Sequence, residues 1–419
     1  MKKQFLLCVL ILFSVIIDNI TAQINKDKIC ATINRFSIGL QSGDTALINK
    51  ELSSCFSLGM SSFPSIQHYL KPIIENNEVT DIEFVSVKNT ENELTTVNVI
   101  AKLKNKKNIE GIIALDSNCK IVFADVLDRL FGVSRYNKSE FRGSIPIEVD
   151  DNIIVLTIKV NDSDQSLRLL FDTGADGTAL TKEAASKLTS IVYKDHKTEV
   201  VGGSIQVKKS SGNVFYLSDQ ISLKNQGFIV LENTSDKQTD GIIGLNIAKE
   251  YIIEVDLDNK VMNFYSFGDY QPAQNYDRIN IHASEGSIMM IDGSVNIVGK
   301  KDAPGRFAFD TGANYHLIAF ENYVRKNRLL LSGFKPESQG TTVSLGLVSP
   351  VFNGKAHSFT FANKYTFENM PIALQASTGR GQITAALGSI GIQLIKQFNF
   401  TIDLLTKQIY LSPNKRYKN

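Results

Sequence analysis

The stretch Leu169-Leu170-Phe171-Asp172-Thr173-Gly174-Ala175-Asp176-Gly177-Thr178-Ala179-Leu180 decides how this chain is read, because its centre recurs. Phe307-Ala308-Phe309-Asp310-Thr311-Gly312-Ala313 stands 138 residues further on. One Asp-Thr-Gly arises by chance in a chain of this length about one time in ten; two copies, each preceded by Phe and followed by Ala, bring coincidence below about one in a hundred. The residue types suit a definite task. An apolar strand delivers a carboxylate into a low-dielectric setting. Thr offers a hydroxyl for cross-bracing, and Gly permits a tight turn whose N–H can hold a carboxylate oxygen. Two such turns brought together place two carboxylates in contact. Like charges that close cannot both ionise readily, so the pair shares one proton. One Asp then acts as base on a water while the other donates to a carbonyl oxygen.

The repeat runs on beyond the turns. Gly244, after Ile242-Ile243, is matched to Gly388, after Ala386-Leu387, at an offset of 144. Ile253, Val255, Asp256, Leu257 and Lys260 match Phe400, Ile402, Asp403, Leu404 and Lys407 at an offset of 147. An offset that grows by small steps is expected where loops of different length decorate one framework. The spacing therefore predicts two similar β-rich lobes, residues 144–268 and 276–413, joined by Gly268 to Asn275. Asp256 and Asp403 read as strand-end carboxylates late in each lobe.

Upstream the pattern differs. Residues 24 to about 77 read as helical, with Ile33, Phe36 and Leu40 at helical spacing and a break at Ser42-Gly43-Asp44. From Asp81 onwards, Ile82 to Val87, Thr96 to Val99 and Gly111 to Ala114 read as strands with polar turns between them. This predicts an α+β domain over 23–133, with 134–143 as a polar linker. In order of elements alone the domain resembles the cystatin-like or NTF2-like group, a resemblance that carries no functional residue. Residues 1–22 have the three-part layout of a secretory signal peptide: Lys2-Lys3, an apolar run from Phe5 to Ile17, and Ala22 before a plausible cleavage point. An uncleaved anchor is the alternative. Export predicts a periplasmic or extracellular protein with no stable membrane span. It leaves Cys30, Cys55 and Cys119, consistent with one bridge between Cys30 and Cys55 or with three buried thiols.

The segment 169–180 resembles the active-site segment of retropepsin-like aspartic proteases. Asp240-Gly241-Ile242-Ile243-Gly244-Leu245-Asn246 is similar to that family's second signature, and the resemblance covers 144–413. It implies a mostly β fold of two aspartic-protease-like closed β barrels, beside the N-terminal α+β domain. It implies Asp172 and Asp310 as the catalytic pair at the floor of a cleft between lobes. Thr173, Gly174, Thr311 and Gly312 support them, with the two threonines bracing each other across a pseudo-dyad. Asp176 would hold the substrate backbone, with Asn314 in its place in lobe two. Gly202 and Gly203, within Val200 to Ile205, fit a substrate-covering flap, as do Val343 to Leu347 in lobe two; an ordinary Gly-containing hairpin fits both equally well. Departures concentrate in lobe two. Tyr315 and His316 follow Asn314 where lobe one has Gly177 and Thr178, Ala385 is set against Gly241, and Leu245 and Ser389 occupy the place of an Arg in the viral enzymes. Ala175 and Ala313 stand where the pepsin group carries a hydroxyl residue. Loss of that donor predicts a shared proton held to higher pH.

The expected function is that of a secreted aspartic endopeptidase acting on polypeptides as a monomer, since one chain holds both turns. The alternatives are a catalytically inactive protein that binds peptides in the same cleft, and lobes that pack apart and pair with other chains. Forty-five Lys+Arg against 43 Asp+Glu leave +2, so no charge footprint for nucleic acid exists. The five His are scattered without metal-ligand spacing, and neither a metal nor a cofactor is expected.

Overall fold

The computed structural model describes residues 26–62, 66–76, 78–91, 94–150, 152–188, 191–200, 203–231, 238–272, 275–283, 288–299, 301–344, 347–376 and 385–418. The expected signal peptide lies outside them. Two compact units meet in sequence between Tyr136 and Asn137. Among the described residues no helix is long and apolar enough to cross a membrane.

The first unit packs helices on a six-stranded sheet. Its strand order is Ser61–Ser62, Leu52–Leu58, Ile121–Ala124, Asn108–Leu115, Leu94–Leu103, Val79–Glu91. A helix over 26–42 buries Ile33, Phe36 and Leu40 in the same core as Phe56, Val97, Val99 and Ile113. The break at Gly43-Asp44 is a helix start: the Asp44 carboxylate accepts from the N–H groups of Ala46 and Leu47, each at 3.0 Å, and caps Thr45–Glu51. The expectation of helix through 77 fails at Leu52–Leu58, which pairs in parallel with Ile121–Ala124. Ser53, Ser54, Cys55, Phe56 and Ser57 are weak helix formers, and half-burial on a sheet suits Phe56 better. Among the described residues no disulfide joins Cys30, Cys55 and Cys119, and Cys55 is exposed rather than buried.

Residues 134–143 are not a free connector. Arg135 is buried in the first unit, where its Nε donates to Asp128 at 2.6 Å and its backbone N–H to Asp125 at 3.1 Å. From Phe141 the chain is already a strand of the second unit, paired with Val261–Tyr265. The composition of the stretch looked loop-like because its apolar anchors are single residues.

The second unit contains two rings of strands. In lobe one Ile154–Val160, Ser166–Phe171, Gly241–Ile243, Thr178–Thr181, Ser222–Leu231 and Gly203–Tyr216 follow one another, and the last pairs back onto the first. In lobe two the ring is Met289–Asn296, Asp302–Phe309, Gly388–Ile390, Leu317–Ala319, Tyr365–Gln375 and Leu347–Phe361, closed the same way. Full closure leaves no open edge within either ring. A third sheet runs Asp277–Asn280, Gln408–Pro413, Phe398–Asp403, Ile252–Asp256, Val261–Tyr265, Phe141–Pro146 and so draws on both lobes. Its central pairing sets Ile253 against Ile402, Glu254 against Thr401 and Val255 against Phe400. At the offset of 147 the middle pair is its own symmetry mate, so the pseudo-two-fold axis passes through it. Asp256 and Asp403 cap the turns that follow: each accepts from two backbone N–H groups, of Asp258 and Asn259 and of Leu405 and Thr406. Lys260 and Lys407 then both take a left-handed φ, near +56° and +55°.

The strand register corrects one sequence match. Leu169, Leu170 and Phe171 pair with Gly241, Ile242 and Ile243, while Phe307, Ala308 and Phe309 pair with Gly388, Ser389 and Ile390. The partner of Gly241 is therefore Gly388, not Ala385, and that of Gly244 is Gly391, not Gly388. Ser389 stands opposite Ile242, and the residue after the second Gly is Ile392. Both lobes carry two glycines three residues apart, which lets an alignment slip by one glycine; the offset of 147 holds from here to the C-terminus.

The two equivalent glycines share one reason. A Cβ on Gly244 would fall 2.2 Å from the Ala175 carbonyl oxygen, and one on Gly391 would fall 2.2 Å from that of Tyr315. By contrast nothing lies within 4 Å of a Cβ on Gly177. Gly244→Ala and Gly391→Ala should each destabilise the protein by at least about 3 kcal/mol, and Gly177→Ala should stay within about 0.5 kcal/mol of the parent. Denaturant unfolding of the three variants checks this, and equal midpoints would refute the assigned equivalence.

Candidate active site

Each Asp-Thr-Gly turn leaves an apolar strand whose Phe is fully buried. Phe171 and Phe309 lie in the core, and the Phe309 ring meets Phe400 of the shared sheet edge-on at 5.3 Å between centroids. The backbone beyond the strands is held alike in both lobes. The Asp172 N–H donates to the Ile243 carbonyl and the Asp310 N–H to that of Ile390, each at 3.0 Å. The N–H groups of Leu245 and Ile392 donate to the carbonyls of Ala175 and Ala313, each at 2.9 Å.

Thr173 and Thr311, both fully buried, exchange bonds across the axis. Each backbone N–H donates to the other's hydroxyl oxygen at 3.0 Å. The Thr173 hydroxyl donates onward to the Phe309 carbonyl at 2.5 Å, and the Thr311 hydroxyl to that of Phe171 at 2.7 Å. Each Thr thus reaches into the strand that feeds the opposite turn.

This bracing brings Asp172 and Asp310 into mutual hydrogen-bond contact. Each carboxylate also accepts from the Gly of its own turn: Gly174 N–H to Asp172 Oδ1 at 2.8 Å, Gly312 N–H to Asp310 Oδ1 at 3.1 Å. The two glycines are pressed against the opposite carboxyls. A Cβ on Gly174 would lie 2.6 Å from Asp310 Cγ, and one on Gly312 2.3 Å from Asp172 Cγ. Burial raises both carboxyls above the ordinary range. For Asp172 the N–H bonds from Gly174 and Ala175 and the bond from Asp310 work against that rise. Asp310 is pushed well up, by burial first and then by the Asp172 charge and their shared bond. Both shifts favour retention of a proton by the pair. Lobe two adds a hydroxyl that sequence reasoning missed: Ser389 Oγ donates to Asp310 Oδ2 at 3.3 Å. The slipped glycine match concealed it; the only available signal was the offset of the strand that follows.

The remaining expected residues are less central. Asp176 is exposed, and its carboxylate is engaged by the Lys249 ammonium. Asn314 is exposed, with its Oδ1 accepting from Gln393 Nε2 at 2.7 Å. Gly203 pairs with Val200 in an antiparallel hairpin, and Gly202 lies outside the described residues. The matching hairpin of lobe two pairs Ser344 with Leu347, its tip likewise undescribed. His316 is half-buried, which lowers its pKa, with the Lys396 charge acting in the same direction. Among the described residues no cluster of His, Cys, Asp and Glu gathers as metal ligands.

Residues 156–247 match the family model described as aspartyl protease. That segment spans most of lobe one, and the match supports an aspartic-protease-like fold and a protease-type function. Among solved structures, the aspartic proteinase from Irpex lacteus is similar at a TM-score of 0.40 and 14% identity, covering 66% of this chain and 98% of that one. No curated protein matches the chain.

The raised carboxyls set a stability gradient. A folded-state pKa above the unfolded value favours the fold below the unfolded pKa, near 4, and that contribution is lost as pH rises through the folded pKa. Asp310→Asn mimics the protonated form and removes the loss. Its melting temperature should exceed that of the parent at pH 7, with the gap closing towards pH 4. A variant less stable than the parent at pH 7 would contradict the raised Asp310 pKa.

Proposed function

We propose that the second unit is an aspartic endopeptidase that cleaves polypeptides with an Asp172–Asp310 pair and an activated water. The observation that carries this is the meeting of two carboxyls from symmetry-equivalent turns. The ionised Asp172 takes a proton from a water lying between the carboxyls, and that water attacks the scissile carbonyl. Asp310 gives its proton to the carbonyl oxygen, which yields a neutral tetrahedral diol. One diol hydroxyl then gives its proton to Asp310 while Asp172 passes its proton to the leaving nitrogen, and the C–N bond breaks. Each carboxyl ends as it began, so one water is consumed per peptide bond and no cofactor enters.

Thr173 and Thr311 act in this reading as braces, and Gly174 and Gly312 as carboxylate holders. A substrate strand would bind extended, by backbone hydrogen bonds, under the two hairpins that pair Val200 with Gly203 and Ser344 with Leu347. Asp176 and Asn314 flank the turns on the solvent side and are proposed to meet that strand, Asp176 by exchanging its Lys249 partner. The proposal includes export by the leader to a periplasmic or extracellular site, and activity as a monomer.

Asp172→Asn and Asp310→Asn should each abolish hydrolysis of a peptide library by the purified full chain. The double variant should be no worse than either single one, because the two act as a unit. Substantial turnover in a single variant would sink the two-lobe pair, and tight peptide binding without turnover in the parent would favour a binding protein.

Activity per molecule should also be constant on dilution, because one chain supplies both carboxyls. A specific activity that falls in step with solution mass would instead point to pairing between chains.

A further inference from the structure

Ser389, buried, and Tyr315, half-buried, both lie on the Asp310 side of the pair, and neither has a counterpart on the Asp172 side. Ser389 is 2% exposed, and its hydroxyl reaches Asp310 Oδ2 at 3.3 Å. Its symmetry mate is Ile242, which has no polar atom to offer. Tyr315 takes the place of Gly177, where lobe one has open space. The Tyr315 phenol is in hydrogen-bond contact with Ser389 and faces the Asp310 charge. Ala313 provides no side-chain donor in the Asp310 turn, so the hydroxyl comes from a neighbouring strand instead.

We propose that Ser389, oriented by Tyr315, is a positioning residue that holds Asp310 Oδ2 and sets the pH range over which the carboxyl pair keeps one proton. The chain of contacts runs from phenol to hydroxyl to carboxyl. A phenol that stays protonated can donate to Ser389 Oγ, and the serine hydrogen is then turned towards Asp310. Burial, with the Asp310 charge second, raises the Tyr315 phenol well above its ordinary range, so it keeps its proton wherever the carboxyls titrate. A hydroxyl donating to Asp310 favours its ionised form, against the burial and the Asp172 charge that favour the protonated one. Among the described residues the titratable groups facing Asp310 are Asp172 and Tyr315; the charge acting on nearby His316 is that of Lys396. The expectation that the pair lacks hydroxyl support altogether therefore fails for Asp310.

The use of this device rests on the endopeptidase reading, but its test does not. Full-length protein labelled with carboxyl-13C aspartate is titrated by NMR, with Asp172→Asn and Asp310→Asn spectra assigning the two signals. Ser389→Ala should raise the upper midpoint of the pair by about one pH unit, the low end for a hydrogen bond to a charged group. Ser389→Thr, which keeps the hydroxyl, should restore it. Tyr315→Phe, which keeps the ring, should raise it by less. An upper midpoint unchanged or lowered in Ser389→Ala overturns the proposal. Should that variant not fold, an unchanged midpoint in Tyr315→Phe overturns it equally. Peptide hydrolysis measured on the same samples keeps the two readings apart: an inactive parent whose midpoint still moves would remove the endopeptidase reading and leave the positioning role standing.

Discussion

The exchange of hydrogen bonds between Thr173 and Thr311 is the constraint on which the site depends. Both residues are sealed from solvent, so any bond left unmade would strand a buried donor or acceptor. Four bonds satisfy the two hydroxyls and the two backbone N–H groups, and each crosses the axis. Two turns tied in this way have little freedom to separate, and the carboxyls next to them in sequence are held in contact. Burial raises both pKa values, and the neighbouring Asp172 charge raises that of Asp310 further.

Enforced proximity works against stability, and the surrounding packing offsets it. Phe171 and Phe309 anchor the strands that deliver the carboxylates, and Phe400 ties one of them to the sheet drawing on both lobes. That sheet pairs Ile252–Asp256 directly with Phe398–Asp403. The lobes are therefore joined beneath the turns by a continuous ladder, and the crossed threonines need only set the final geometry. Burial of two carboxyls is tolerated because the cost falls on a region already fixed from below.

What was legible in the sequence was local and repeated. The two Asp-Thr-Gly turns, the paired lobes and the late Asp256 and Asp403 turns are short motifs whose chemistry reads without tertiary information. The helix over 26–42 showed its period through Ile33, Phe36 and Leu40. Other features required partners that the sequence does not display. Leu52–Leu58 is a strand because Ile121–Ala124 lies beside it, and the weak helix formers around residue 55 do not name that partner. Arg135 looked like linker because the buried Asp128 that receives it is a separate clue. Ser389 was misplaced because glycines three residues apart make two registers equally attractive, and only hydrogen-bond pairing chooses between them. Gly202 of the expected flap and the expected leader fall outside the described residues.

Gly177 opposite Tyr315, and Ile242 opposite Ser389, mean that the two halves around the axis are not identical. A polypeptide has a direction, and a site with true two-fold symmetry cannot tell one direction from the other. Two identical halves would receive a chain equally well running either way, and any change made on one side would be copied to the other. Carrying both halves in one chain lifts that restriction. One side keeps open space while the other fills it with an aromatic ring, and the paired turns acquire a polarity. The same freedom gives the two carboxyls different surroundings: the Ser389 hydroxyl donates to Asp310, and Ile242 stands in its place on the Asp172 side.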